Sequence, residues 1–362
     1  MERRIIYIFC GFLIAMSVVY PLNLTDRMRV PIYFTLQSGI AYDSNYLKLS
    51  ASEINEVSLY PALLGDSETV SSLIAKNSLN IKYNPFFFTN HETQFRFRIS
   101  FNNYFSSSDK SYSSYGISIA QHLGKYEWLK FSYSYMPGYY LRDYRDRDEI
   151  IMNVNQDEIL TSCYFSQGSS TLSYSKWLSI KRTWVEGKIN YKTQYYNPTF
   201  TEFDLNIISY GLSVYSKFFK TYYLSIVGIQ ASADNPTYQN GLSSTEQIDR
   251  GYKQTDISIS LQKNKIDWIL LQTIGCKYSN TIRNYSSQHS SDNLHKDRSH
   301  TENKIKMWVG GTLNTSLDYK LYLSTRVRTT KATIEWVEEL KDFNKYEILL
   351  LFSYHFSSDI LY

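Results

Sequence analysis

Alternation between apolar and polar side chains, with a period of two, constrains the fold of this chain more than any other feature. The clearest case is the segment 93–105. One face carries Phe95, Phe97, Ile99 and Phe101, and the other carries Gln94, Arg96, Arg98, Ser100 and Asn102. A helix would scatter these residues around its circumference, whereas a β-strand places them on two opposite faces. The segment is therefore predicted to be a strand with one apolar face.

The same alternation recurs along the chain, in runs of about 10–14 residues where globular strands usually have ~5–6. A tilted strand needs about 9–11 residues to cross a bilayer. A soluble β-sandwich predicts shorter strands and a core rich in Val, Leu and Ile, and a β-helix predicts a strict short repeat that is absent here. We therefore expect an all-β protein, a transmembrane antiparallel up-and-down β-barrel over residues 30–356.

The strand number is expected to be 14 or 16. The pattern gives roughly fifteen strands, but single-chain bacterial barrels almost always have an even number. The up-and-down alternation breaks between residues 138 and 200, so the miscounted strand is expected there. Long polar connections at 46–67, 138–156, 233–251 and 281–302 are assigned to the outside of the cell. Short connections at 124–127, 217–221, 263–267 and 316–318 are assigned to the periplasm.

Residues 1–20 are predicted to be a signal peptide. Arg3 and Arg4 precede an apolar run from Ile5 to Val19, and Ala15-Met16-Ser17 fits a loose cleavage site. The alternative is a membrane-anchoring helix, for which the run is short.

Composition excludes several other classes of protein. Charged residues make up 20% of the chain and mean hydropathy is −0.36, which argues against a bundle of apolar membrane helices. Aromatic residues reach 16%, which favours strands and interfacial girdles. A net charge of +4 gives no support for binding nucleic acid. The three cysteines form no motif typical of zinc or of a disulfide framework.

Two short segments carry a resemblance to known barrels. Tyr42-Asp43-Ser44-Asn45 ends the first predicted strand, and Phe352, Tyr354 and Phe356 alternate near the end of the chain. The first motif resembles the start of several Gram-negative outer-membrane barrel families, including polysaccharide-export and surface-lipoprotein-assembly porins. The second resembles a barrel-assembly signal. The resemblance implies an outer-membrane location, with membrane lipid, lipopolysaccharide and the assembly machinery as partners.

The polar face of the predicted strands is basic, which suggests a function. It carries Lys82, Arg96, Arg98, Lys130, Lys188, Lys192, Lys304, Lys306, Arg326 and Arg328, opposed by Asp43, Glu186, Asp256 and Glu347. Barrel closure is expected to bring the four basic residues at 304–328 close to the three at 82–98. Such a wall would favour small anionic or acidic saccharide solutes in a passive pore or export conduit. The alternative is that these charges only hydrate the wall, and Arg96, Arg98, Arg326 and Arg328 are expected to dominate any selectivity.

No catalytic, cofactor or metal site is predicted, and we expect no enzyme. His122 and His355 face inward and His91 lies at a turn, but no Ser-His-acid set converges on them. The remaining candidates are a cluster of three histidines and two aspartates and a mixed-charge run at 142–149, both interpreted as solvated loops; the cluster is His289, His295, His300, Asp292 and Asp297. Two alternatives stay open: a docking platform, with residues 46–67 filling the lumen, and a lipid-modifying enzyme that uses His122 or His355.

Overall fold

A closed antiparallel β-barrel of fourteen strands makes up the protein, and its first strand pairs with its last. The computed structural model describes residues 28–359 except 60, 68, 88–90, 146–159, 179, 181, 239–247, 267, 269 and 290–291. The strands are β1 (Ile32–Asp43), β2 (Ser72–Tyr83), β3 (Thr93–Tyr104), β4 (Tyr112–Gly124), β5 (Glu127–Arg145), β6 (Leu160–Leu178), β7 (Thr183–Tyr196), β8 (Leu205–Phe218), β9 (Tyr222–Asp234), β10 (Tyr252–Asn264), β11 (Thr273–Tyr285), β12 (Ser299–Asn314), β13 (Leu317–Lys331) and β14 (Phe343–Ser358). The predicted fold class is confirmed, with the smaller of the two predicted strand numbers. The predicted signal peptide lies outside the described residues.

Apolar side chains cover the outer face of the barrel. Ile40, Leu212 and Ile257 are 62%, 58% and 51% exposed, although residues of these types are normally buried. They alternate along their strands with small or polar residues that point inward. This outer face can contact lipid, because closure of the barrel leaves no strand edge with unpaired backbone N–H and C=O groups. In the part of the chain that is described, no helix is long and apolar enough to span a membrane.

The two ends of the barrel differ in their connections. The short-turn end has connections 84–92, 125–126, 179–182, 219–221, 265–272 and 315–316, and both β1 and β14 have their outer ends there. The long-loop end has connections 44–71, 105–111, 146–159, 197–204, 235–251, 286–298 and 332–342. The predicted alternation of long and short connections follows this division. Which end faces the cell exterior stays a prediction.

Two of the predicted long loops include residues that belong to strands in the structure. Strand β5 continues to Arg145, although a loop was expected from residue 138, and the loop expected at 281–302 spans only 286–298. In β5 the pairing with β6 shifts between Met136 and Tyr139 and again between Tyr140 and Asp143. Each β-bulge adds unpaired residues and breaks the period of two. This explains why the pattern failed between residues 138 and 200.

Loop 44–71 folds back against the inner wall at the long-loop end. It contains helix α1 (Ala51–Glu56), whose N-terminus carries a capping box in which the Ser50 hydroxyl and the Glu53 carboxylate each accept a backbone N–H. Tyr46 and Leu49 are buried and form a cluster with Tyr140 of β5. Helix α2 (Glu335–Lys341), in connection 332–342, contacts α1. These elements narrow the mouth of the barrel.

The motif 42–45 supplies the turn that directs this loop inward. The Asp43 carboxylate pairs with Lys345 of β14 and accepts the Asn45 N–H at 3.1 Å. The Asn45 side chain donates to the Leu49 carbonyl at 2.8 Å and accepts the Leu49 N–H at 2.9 Å. The residues that carry the family resemblance thus fix the entry of loop 44–71 and join the first strand to the last.

Candidate functional site

All ten basic residues singled out in the sequence lie on the inward face of the barrel, as the register shows. Lys82 pairs with Arg96 and Lys304 with Arg326. Next to Arg96, Lys304 and Arg326 along their strands lie the exposed Phe97, Ile305 and Val327. Lys130 lies opposite Ser173, and Ser173 lies opposite Lys188. The strand pattern therefore indicated the orientation of these side chains. Whether they line a conducting pore stays a prediction.

The expected convergence of these residues on one wall was wrong. Arg326 pairs with Lys345 of β14, whereas Lys82 is level with Tyr33 of β1 and hence with Ser357 of β14. Lys345 and Ser357 lie near opposite ends of β14, about 40 Å apart along the strand at roughly 3.3 Å per residue. The residues at 304–328 therefore lie toward the long-loop end, and Lys82 and Arg96 lie at the short-turn end. Closure brings the strands together but not these residues.

A cavity of about 1060 Å³ opens inside the barrel toward the long-loop end. Its lining is basic, with only two carboxylates, Glu202 and Asp256, among the described residues around it. The basic side chains that line it are Lys48, Arg142, Lys188, Lys192, Arg250, Arg283, Arg298, Arg326, Arg328 and Lys341. Only Lys188, Lys192, Arg326 and Arg328 were singled out in the sequence; the other six residues singled out there lie elsewhere on the inner wall.

Contacts with aromatic rings position three of the cavity arginines. The guanidinium of Arg283 lies 3.8 Å from the ring centre of Tyr252, and that of Arg298 lies 3.9 Å from Tyr285. Arg250 lies 4.5 Å from the ring centre of Phe203. A stacked guanidinium keeps its N–H groups at the edge of its plane, where they can bind a carboxylate or phosphate. These stacks set fixed donors around the cavity.

Arg298 also carries buried donors that have no partner. Its residue is only 6% exposed, and its Nε and Nη1 make no hydrogen bond in the structure. An unpaired buried donor is costly, more so when it is charged.

Sequence reasoning missed Arg250, Arg283 and Arg298 for a simple reason. All three were placed in the long connections 233–251 and 281–302, which were expected to point away from the barrel. In the structure Arg283 belongs to β11, and Arg250 and Arg298, near the ends of connections 235–251 and 286–298, line the inner cavity. The alternation of Ile282 with Arg283 was the available signal.

Carboxylates neutralise part of the inner wall. Glu302 binds Arg326, with a distance of 2.7 Å from Arg326 Nη2 to Glu302 Oε2, and also Arg328, at 3.0 Å from its Nη2 to the same oxygen. Glu302 was not among the acidic residues weighed in the sequence. Arg326 and Arg328 therefore share one carboxylate, and the expectation that they would dominate the wall is weakened.

Lys48 links loop 44–71 to the charge of the cavity. Burial, together with the nearby charges of Arg326, Arg328 and Lys345, lowers the pKa of Lys48 to about 7, although Glu302 acts in the opposite direction. Its ammonium group therefore gives up its proton much more readily than that of an ordinary lysine. The charge of the cavity varies with pH in the physiological range.

The histidine cluster that was considered for metal binding has a structural role. His295 Nδ1 lies 2.9 Å from Asp292 Oδ1, and Asp292 also accepts the Ser287 hydroxyl and the Asp249 N–H. Burial lowers the pKa of His295 to about 4, so it is neutral at pH 7. Among the described residues, no group of three His, Cys, Asp or Glu side chains could hold a metal ion. The contacts of Asp292 and His295 therefore stabilise the fold of the described part of loop 286–298.

The histidines considered for catalysis lie near the short-turn end. His122 packs between His91 and Trp128. His355 lies 3.1 Å from the Thr35 hydroxyl and 3.2 Å from Asp318 Oδ2. A hydroxyl, a histidine and a carboxylate follow one another in the same order in the catalytic triad of serine hydrolases. Thr35, however, lies within β1, which is paired on both sides, so its backbone donors are engaged in the sheet. No oxyanion hole is built from that strand.

The mixed-charge run at 142–149 is described only at its start. Arg142 binds Glu53 of α1 at 2.6 Å, and Asp143 accepts the Tyr140 hydroxyl at 3.0 Å. These two residues hold loop 44–71, where solvated charges were expected. Residues 146–149 lie outside the described part of the chain.

Comparisons with known proteins find relatives only among solved structures. No protein-family model and no curated protein matches the chain. The outer membrane channel DcaP of Acinetobacter baumannii is 10% identical, with a TM-score of 0.47 over 90% of this chain and 96% of that one. OmpT, an outer membrane protein of Vibrio cholerae, is 6% identical, with a TM-score of 0.45 over 90% and 97%. An anion-selective porin from Comamonas acidovorans is 7% identical, with a TM-score of 0.39 over 90% and 98%. Identities this low carry no residue's role from one chain to another.

Proposed function

We propose that this protein is a passive outer-membrane channel that prefers anionic solutes, including acidic saccharides. The observation that carries the proposal is the lining of the inner cavity, where ten basic side chains face two carboxylates. A barrel of fourteen strands is wider than the eight-stranded barrels whose interior is filled by side chains. The apolar outer face fits a bilayer.

The electrostatics of the cavity support selection by charge. A lumen with low-dielectric walls concentrates the field of its charges along the path of the solute. The planar guanidinium groups of Arg250, Arg283 and Arg298 lie beside the cavity, and a guanidinium matches carboxylate and phosphate groups. On Arg283, Nε and Nη2 already donate to the Gln254 amide oxygen at 2.8 and 2.6 Å. We therefore assign the main selectivity to these three residues, with Arg326 and Arg328 partly neutralised by Glu302.

Single-channel recording in a planar bilayer under a salt gradient tests this function. We expect a reversal potential that reports anion preference, and we expect the R250Q/R283Q/R298Q variant to weaken or invert it. A matched control, K176Q/K220Q/K331Q, removes the same number of charges from exposed positions outside the cavity and should leave the reversal potential unchanged. A channel that selects cations, or equal effects of the two variants, would contradict the proposal.

A second candidate function is a non-conducting docking platform. The observation that favours it is loop 44–71, which packs against β5 through Tyr46, Leu49 and Leu64 and brings Leu47 and Lys48 to the inner cavity. The same recording separates the two functions. A barrel that inserts into the bilayer, as shown by protection from added protease, but never conducts would favour the platform.

A further inference from the structure

A row of aromatic side chains crosses the inner wall at the short-turn end of the barrel. It consists of Trp128 on β5, Trp177 on β6, Trp184 on β7, Tyr215 on β8 and Tyr223 on β9. Trp177 pairs with Trp184 and Trp184 with Tyr215, so these rings lie side by side on adjacent strands. We call this set the aromatic row.

The register places the aromatic row inside the barrel. Trp184 lies on the same face of β7 as Lys188, which lines the inner cavity, while the alternate residue Ile189 is 51% exposed on the outer face. Girdle aromatics of membrane barrels face lipid at the interfaces, and these do not. The three tryptophans are only partly buried, which leaves indole surface open to the lumen.

Four members of the aromatic row, Trp128, Trp177, Trp184 and Tyr223, line a cavity of about 660 Å³ that is separate from the basic cavity. The fifth, Tyr215, stacks on Trp184 with ring centres 5.4 Å apart. Lys125, Arg182 and Lys217 also line it, and no carboxylate is among its described lining residues. Lys125 lies 4.8 Å from the ring centre of Trp177, and Lys217 lies 4.9 Å from that of Tyr223. Apolar faces and fixed positive charges thus meet in one pocket.

The dimensions of the aromatic row indicate the shape of its ligand. Five adjacent strands span four spacings of about 4.8 Å, or roughly 19 Å. A single small ring would cover only one or two of these side chains, whereas a ligand of linked rings would cover the whole row. Pyranose rings present C–H faces that pack on aromatic rings and hydroxyl edges that form hydrogen bonds, for which the lining Ser175 supplies one hydroxyl group. The cations favour carboxylates on those rings.

We propose that the aromatic row, with Lys125, Arg182 and Lys217, is a binding site for an acidic oligosaccharide. It lies at the opposite end of the lumen from the basic cavity, so it does not depend on that cavity or on conductance. In a conducting barrel it would hold the saccharide at the short-turn mouth.

Isothermal titration of the detergent-folded barrel with tri-galacturonic acid tests the proposal without any measurement of current. We expect the W177A/W184A variant to bind at least tenfold more weakly than the native protein, with W177F/W184F intermediate. The control W268A removes a 69% exposed tryptophan from turn 265–272, outside the pocket, and should bind as the native protein does. Heat-modifiable gel migration verifies that each variant is folded.

The charge requirement is tested with maltotriose as a neutral probe and benzoate as a small aromatic acid. We expect K125Q/R182Q/K217Q to weaken binding of tri-galacturonic acid at least tenfold and to leave the weaker binding of maltotriose unchanged. Native affinity in W177A/W184A, or tighter binding of benzoate than of the saccharide, would overturn the proposal. Saccharide binding by a barrel that does not conduct would support this site while refuting the channel, so the two failures are distinguishable.

Discussion

Arginines stacked on aromatic rings give the inner cavity its fixed charge at the scale of single residues. Arg283 and Tyr252 lie on the paired strands β11 and β10, whereas Arg298 contacts Tyr285 of β11 from connection 286–298. Alternation along a strand predicted that Lys188, Lys192, Arg326 and Arg328 point inward, since side-chain direction is a local property. It could not predict their partners, because ion pairs and stacks depend on register and on loop paths.

Lys48 gives a pH-dependent prediction. Its pKa of about 7 means that it gains a proton as the pH falls from 8 to 6. One more positive charge then faces the cavity, so anion preference should rise over this interval. His295, with a pKa of about 4, stays neutral throughout and does not contribute. Reversal potentials measured at pH 8, 7 and 6 should show a larger rise in the native protein than in K48M. The same rise in K48M would refute the assignment.

Glu302 gives a second prediction at this scale. The substitution E302Q removes the carboxylate that Arg326 and Arg328 share, which leaves two uncompensated guanidinium groups at the cavity. We expect stronger anion preference together with a loss of about 1–3 kcal/mol in stability. Reversal potential and the temperature of heat-modifiable unfolding measure the two effects. The exposed E335Q should change neither, and an unaltered reversal potential in E302Q would contradict the prediction.

Loop 44–71 is the element that most shapes the mouth of the barrel. Residues 46–67 were expected to face outward, with filling of the lumen as the alternative, and the structure places Tyr46, Leu49 and Leu64 against β5. The sequence Ser50-Ala51-Ser52-Glu53 carried a capping-box signal for a helix within this connection. The bulges in β5 had no comparable signal, because a bulge is set by pairing with the neighbouring strand.

Shortening this loop should widen the channel. Replacing residues 51–66 with a short Gly-Ser linker removes α1 and the Glu53–Arg142 ion pair from the mouth. We expect a higher single-channel conductance. Replacing turn 219–221 with Asn-Gly alters the opposite end and should leave conductance near its native value. Native conductance after the loop replacement would show that loop 44–71 does not limit flow.

At the scale of the whole molecule, the barrel depends on the seam between β1 and β14. The even strand number and the alternation of long and short connections were predictable, because closure in a bilayer allows few other solutions. The stagger between strands was not, and it separated Lys82 and Arg96 from Arg326 and Lys304. Strand pairing is a global property, so a linear pattern leaves it undetermined.

Gly39 gives a prediction about closure. A Cβ at this position would lie 2.4 Å from the backbone oxygen of Leu350 across the seam. We expect G39V to destabilise the barrel by about 1–3 kcal/mol and to reduce the compact, fast-migrating form on unheated gels. The matched change G228V lies where nothing is within 4 Å and should migrate like the native protein. Equal migration of the two variants would refute the role of Gly39.

The same seam has a consequence for the order of assembly. Asp43 and Lys345 are 302 residues apart in sequence, so their pairing has among the highest contact orders in the chain. Non-local pairs form late, because the entropy of closing so long a loop must be lost before the contact stabilises anything. Until β14 arrives, the free edge of β1 exposes unpaired backbone groups that can pair with another chain. The time that β1 and β14 take to pair therefore sets how long the nascent barrel is exposed to aggregation. Slow closure of the seam would lengthen that time.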